Sequence, residues 1–132
     1  MAVLAHYLPG SIYVYQGEEL GLPDANIPPN QRLDPIWVKS GFTQIGRDGA
    51  RAPMPWVDGV PNRGFSTAKS TWLPSPLDWD VTPADLQIDD LSSFYSLYKS
   101  LLTLRHQNPN WRIPISQTGI SFDEDMLKIS RG

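Results

Sequence analysis

The stretch SIYVY, residues 11–15, most constrains what this chain can fold into. Ile12 to Tyr15 are apolar or aromatic at every position. Alternation with polar residues would mark a sheet with one wet face. This run has no wet face, and it suits a strand buried on both sides, as in a parallel sheet. Before it, residues 2–8 read as the end of a helix stopped by Pro9-Gly10. Helix, tight turn and buried strand make one αβ step of an α/β fold. Such a strand needs neighbours on both edges.

The rest of the sequence offers no obvious neighbour. Thirteen of the 132 residues are proline, roughly twice the usual share, and they concentrate between Pro23 and Pro83. From about Leu22 to Asp90 no helical or strand period is sustained, so this region reads as a long loop with short helices and turns. A loop of that length in a compact domain carries function. Regularity returns with an amphipathic helix, in which Leu91, Phe94, Tyr98, Leu101, Leu102 and Arg105 step by three or four. This stripe is expected to be core. Asp89, Asp90 or Ser92 is expected to cap its start, and Arg105 and His106 sit in its last turn before Asn108-Pro109. Ile113 to Ile115 and Met126 to Ser130 then read as short strands joined by residues 118–125. One strand, one long loop, one helix and the opening of a second sheet do not close a core, so the chain is expected to be part of a larger protein. Its uncovered strand and helix face predict poor solubility.

Composition removes several classes. The net charge is −3 without a Lys/Arg cluster, which argues against a nucleic-acid or anionic-membrane surface. There is no cysteine, so no disulfide framework or Cys-ligated metal forms. His6 and His106 make no metal pattern and read as ordinary helix residues. No apolar run reaches the roughly 18 residues of a membrane span. The first residues lack a basic n-region, and a cytoplasmic protein is the default expectation.

Three segments, in order, carry a resemblance. YQGEELGLP at 15–23 resembles the segment after the eighth barrel strand of the α-amylase family, glycoside hydrolase family 13. The match is nearest to its α-glucosidase and oligo-1,6-glucosidase branch. GRDGARAPMPW at 46–56 is similar to that branch's Arg-Asp-x-x-Arg-x-Pro-Met-x-Trp segment. FYSLYKSLLTLR at 94–105 is similar to the last barrel helix, and WLP at 72–74 also fits. The resemblance implies an α/β fold. Residues 1–110 would be the C-terminal part of a (β/α)8 TIM barrel: its last β/α unit with a long Pro/Gly-rich loop. Residues 111–132 would begin a C-terminal antiparallel β domain.

The resemblance also implies a retaining, exo-acting hydrolase for short α-linked gluco-oligosaccharides, without a redox cofactor. Its Asp nucleophile, Glu acid/base and second Asp lie on strands four, five and seven, which would all precede Met1. The family's His-Asp motif after strand seven is absent, since Tyr7 follows His6. The chain should therefore carry no catalytic carboxylate and be inactive alone. Two alternatives stay open: a glucosyl-transferring isomerase of the isomaltulose or trehalose type, and a non-catalytic binding or transporter-partner subunit.

In a (β/α)8 barrel, chemistry gathers on loops after strand ends, and Gln16 to Gly21 hold that position. Retaining chemistry needs carboxyl groups about 5–5.5 Å apart across the sugar. Consecutive side chains diverge, so Glu18 and Glu19 are poor candidates. They are expected to cap backbone groups or hold an arginine. Gln16 sits where substrate would pass. Arg47 and Arg51 offer rigid donor forks suited to sugar hydroxyls or a carboxylate. At i, i+4 they can share a helical face, with Asp48 pairing with Arg51. The bland reading is a surface ion-pair knot worth little. By resemblance, Arg47 reaches the terminal glucose and Arg51 is more structural. Trp37, Phe42, Trp56, Phe65, Trp72 and Trp79 either stack on sugar rings or form the loop's own core. Packing is favoured, with Trp56 and Phe65 the expected exceptions. Variable positions within 49–56 depart from the family's usual residues, which leaves acceptor specificity open.

Overall fold

A computed structural model describes residues 2–75, 79–112, 118–123 and 125–131. Helix α1 spans Ala2–Tyr7, α2 Pro35–Lys39, α3 Ala84–Gln87 and α4 Phe94–Gln107; strands β1, Thr118–Asp123, and β2, Met126–Arg131, follow. The chain divides into two compact units, residues 1–14 with 97–132, and residues 15–96.

In the first unit, Pro9-Gly10 ends α1 as expected. Arg105, near the end of α4, secures that turn. Its guanidinium donates to the carbonyls of His6 at 2.6 Å and Leu8 at 3.1 Å, and also to that of Gly10. Satisfying several carbonyls at once is what a planar fork does well. His6 is buried, packs edge-on to Tyr98, and keeps Nδ1 at 2.9 Å from the Ala2 carbonyl within its own helix. The expected buried strand at 12–15 forms no ladder: residues 11–15 have no regular structure, and Tyr13 is 90% exposed. A strand exists only by pairing, and residues 11–15 pair with no described segment.

The C-terminal sheet differs from expectation. Residues 113–115 lie outside the described residues, and most of the expected connection 118–125 is itself a strand. β1 pairs antiparallel with β2, Ile120 facing Ile129 and Phe122 facing Leu127, with Asp123 opposite Met126 at the turn. The alternation of Ile120 and Phe122 outweighs the turn signal of Thr118-Gly119, because cross-strand apolar pairs are what stabilise a hairpin.

The second unit is loop-rich, as the prolines imply. Ala25, Ile27, Ala52, Leu73 and Trp79 make one small core; Leu20, Met54 and Ala84 make another. Buried Gln87 replaces missing backbone ladders. Its Nε2 donates to the carbonyls of Leu20 (3.0 Å) and Thr82 (2.9 Å), and its Oε1 accepts from the Tyr95 amide (3.2 Å).

The cap of α4 is Ser93, not Asp89, Asp90 or Ser92. Its hydroxyl accepts from the Ser96 amide at 3.1 Å. Asp90 is occupied one turn earlier by the amide and hydroxyl of Ser92. The expected core stripe is uncovered at Leu91 (93% exposed), Phe94 and Leu102, and buried at Tyr98. Replacing Ser93 by Ala should destabilise the first turn of α4 by about 1 kcal/mol, read as faster amide hydrogen exchange there. Unchanged exchange in that turn would remove Ser93 as the cap.

Candidate functional site

A cleft of about 240 Å³ opens in the second unit. Gln16, Glu18 and Asp24 bring polar groups to it, and Leu22, Met54 and Trp79 its apolar wall. Tyr15, Pro23, Gly49, Ala50 and Ala52 complete the lining. The Gly49 position has no room for more: a Cβ there would stand 2.7 Å from the Ala25 carbonyl oxygen. Trp79 is buried, with Nε1 donating to the Pro23 carbonyl at 3.2 Å. A few polar groups set in an apolar wall fit a small neutral polar ligand better than a polyanion.

The two glutamates serve their own turn. Glu19 Oε2 accepts from the Gly17 amide at 2.8 Å, and Glu18 Oε2 from the Tyr15 amide at 3.4 Å. They open a short 3-10 turn, Glu18–Leu20. Capping, the first of the expected structural roles, is what the geometry displays. Gln16 is exposed at the mouth.

Beside the cleft-lining residues in sequence lies a knot of two buried carboxylates. Asp48 is 0% exposed, and its Oδ2 accepts from the amides of Leu33 (2.7 Å) and Asp34 (2.9 Å). Asp34 caps α2: Oδ1 accepts from the Ile36 amide at 3.1 Å, with Pro35 at the first helical position, an arrangement that Asp-Pro favours. Asp34 Oδ2 takes the Arg47 amide at 3.0 Å and faces Arg51 at 3.4 Å and Arg47 Nε at 3.8 Å. Gly46 lets the chains approach, since a Cβ on it would stand 2.7 Å from the Cβ of Asp34.

The arginines therefore meet through Asp34, not through a helical face. Residues 49–51 form a single 3-10 turn, and Asp48 does not pair with Arg51 as spacing suggested. Its carboxylate is directed at backbone amides because these loop groups have no ladder to bond to, and a buried amide must be satisfied. Arg47 and Arg51 diverge in exposure, 77% against 31% of the side chain. Neither lines the cleft that Gln16 lines. Among the aromatics, Trp79 is buried and Trp37 stacks edge-on to Phe42 with the Arg32 guanidinium over it. Trp56 and Phe65 are exposed as expected, and so are Phe42 and Trp72, which were not among the expected exceptions. The sequence reading missed Asp34, Asp48 as a backbone acceptor, and Gln87. Only the first left a signal, the Asp34-Pro35 cap.

The α-amylase catalytic-domain family matches residues 1–112. Glucan 1,6-α-glucosidase of Streptococcus dysgalactiae subsp. equisimilis is 32% identical, covering 86% of this chain and 24% of its own length. Maltase A1 of Drosophila melanogaster is 34% identical, covering 98% and 22%. Among solved structures, an α-glucosyl transfer enzyme superposes with a TM-score of 0.82 at 34% identity, covering 98% of this chain and 24% of its own. An inactive double mutant of the trehalulose synthase MutB, solved with isomaltulose, gives 0.79 at 26% identity, covering 99% and 26%. The chain thus spans about a quarter of the length of these relatives.

The Asp34 carboxyl is held below its ordinary value of 3.8, first by the Ile36 amide and then by the Arg47 amide, against desolvation, with Arg51 and Arg47 adding attraction. A depressed carboxyl contributes stability that is fully present above its unfolded value and is lost as pH falls through the lower folded value. Stability of the second unit should therefore drop below about pH 3.8. Asp34→Asn should flatten part of that acid limb while leaving the limb from Asp90, whose carboxyl Ser92 lowers likewise. Urea unfolding across pH 2–6 checks this; an identical acid limb in both proteins would refute it.

Proposed function

The chain belongs to the α-amylase family, whose catalytic domain is a TIM barrel, and from that premise we propose that it forms part of a retaining α-glucosidase for short α-linked gluco-oligosaccharides. In this reading residues 1–110 supply the last β/α unit of the barrel with its long loop, and residues 111–132 open a trailing antiparallel domain. The reactive carboxylates come from polypeptide outside this chain. The observation that carries the reading is the ordered match of nearly the whole chain to α-glucosidases and maltases.

Within that site Gln16 and Arg47 shape the terminal glucose pocket, and Arg51 supports them. Arg47 does not line the Gln16 cleft of this chain, and what supports its role is its own geometry. Arg47 has its backbone amide fastened to a buried carboxylate and its guanidinium largely in solvent, a fixed root with a reaching head. Arg51 is half-covered and turned onto Asp34. The uncovered Tyr13 and the bare face of α4 are the surfaces the remaining barrel would cover.

A second reading has its own support. Solved structures similar to this chain include an α-glucosyl transfer enzyme and trehalulose synthase. A glucosyl-transferring isomerase would share this pocket wall and differ in what accepts the glucose. Product analysis with sucrose separates the two, since hydrolysis gives free glucose and fructose and isomerisation gives a reducing disaccharide.

The purified chain should show no turnover of p-nitrophenyl α-glucoside above blank; turnover that tracks with the protein would refute the division of the site. In the longer protein carrying this segment, Arg47→Ala should lower kcat/KM about 10- to 100-fold, the size of one or more lost charge-assisted hydrogen bonds. An unchanged kcat/KM would take Arg47 out of the pocket.

A further inference from the structure

A second groove, of about 430 Å³, lies in the same unit and shares no lining residue with the Gln16 cleft. Trp72, 67% exposed, lines it. Gln31, Asn62, Ser70, Thr71 and Ser75 add polar groups, and Leu33 and Pro74 apolar ones. We propose that this groove is a binding site for a neutral pyranoside, with the indole of Trp72 as the platform on which a sugar ring lies.

The platform is rigid. Leu73 is 1% exposed and anchored in the unit's larger core. The Thr71 hydroxyl donates to the Leu73 carbonyl at 2.5 Å, which fastens the backbone on both sides of Trp72. With its neighbour driven inward, the indole is presented outward. Its face carries the negative part of the ring quadrupole and attracts the slightly positive C–H groups of a pyranose face. The surrounding groups carry no formal charge, so no ion pair selects a charged ligand.

The polar rim has unused capacity. Asn62 is held in a left-handed conformation, φ 50°, with its amide nitrogen donating to the carbonyls of Ser66 (3.1 Å) and Ala68 (2.7 Å). The orientation leaves its carbonyl oxygen as an acceptor. The Ser75 hydroxyl is buried and has no hydrogen-bond partner among the described residues, an arrangement that buried polar groups generally avoid. A sugar hydroxyl can donate to the Asn62 carbonyl.

The composition of the rim also separates this groove from the other uncovered surfaces. Tyr13, Val14 and Tyr15, and Leu91, Phe94 and Leu102, are apolar or aromatic throughout, as surfaces covered by packed protein are. The Trp72 groove sets one aromatic ring among amides and hydroxyls, which is the pattern of a small-molecule site with a few convergent polar groups. The choice of an α-linked gluco-oligosaccharide as the ligand rests on the functional reading above; the assignment of a pyranoside site rests on the groove alone.

The five tryptophans give five indole N–H signals in a ¹H–¹⁵N spectrum, and Trp72→Phe identifies the one that belongs to Trp72. Titration of the whole chain with isomaltotriose or maltotriose should shift that signal, with a dissociation constant of about 1 mM. Trp72→Ala should weaken binding at least about tenfold, as loss of a central aromatic anchor does. Gln31→Ala, an exposed rim change, should weaken it less without disturbing the other indole signals. Failure of every sugar to move the Trp72 signal, or equal binding by Trp72→Ala, overturns the site and leaves the α-glucosidase reading to its own assays. A response to cellotriose but to neither α-linked trisaccharide keeps the pyranoside site and overturns its α-linked ligand.

Discussion

The loop-rich unit is organised by the Asp48 carboxylate. A stretch poor in regular structure still carries an amide donor on every non-proline residue, and each must find an acceptor once buried. Here one oxygen of Asp48 takes two consecutive amides, those of Leu33 and Asp34. That contact places the Asp34 side chain where it caps α2, receives the Arg47 amide and faces both arginines. Two carboxylates thus do for residues 33–51 what a ladder does for a strand. Gln87 does the same for Leu20, Thr82 and Tyr95. The apolar clusters around Ile27 and Met54 are small, so buried polar side chains account for much of the order in this unit.

This arrangement bears on how the arginines act. Arg47 and Arg51 both pair with one carboxylate, Asp34, as an ion-pair knot would, and exposed pairs of that kind have little effect. Their common partner, however, is buried and pinned by backbone donors. Arg51 folds onto it, while Arg47 reaches it through its amide and, more loosely, its Nε, with the side chain largely in solvent. In the proposed reading this leaves the Arg47 fork to meet the hydroxyls of a ligand, with its backbone ordered before the ligand arrives.

The surfaces of the chain are of two kinds. Tyr13, Leu91, Phe94 and Phe122 are large, apolar and exposed, a pattern that goes with covering by further protein. The chain's span of about a quarter of its relatives' length agrees with that. The groove at Trp72 and the cleft at Gln16 are different, since polar side chains stand among aromatic and apolar ones in both. The first kind of surface belongs to the barrel's architecture in the proposed reading, and the second to ligand.

Much was determined by local sequence alone. Pro9-Gly10 ends α1, the three- and four-residue steps through Tyr98 and Arg105 make α4, and the proline-dense middle forgoes regular structure. The ordered segments around Gln16, Arg47 and Arg105 identified the family. These signals are legible because propensity, period and turn chemistry act over a few residues. Tertiary structure decided the rest. Whether Ile12–Tyr15 becomes a strand depends on an edge the sequence cannot supply. Whether Ser93 or Asp90 caps α4 depends on which side chain the preceding turn leaves free. That Asp48 turns inward to Leu33 and Asp34 while Arg51 goes to Asp34 follows from contacts 14 to 17 residues apart. Spacing rules reach one helical turn. Partners set by the path of a long loop are chosen only when buried donors and acceptors must all be matched in three dimensions.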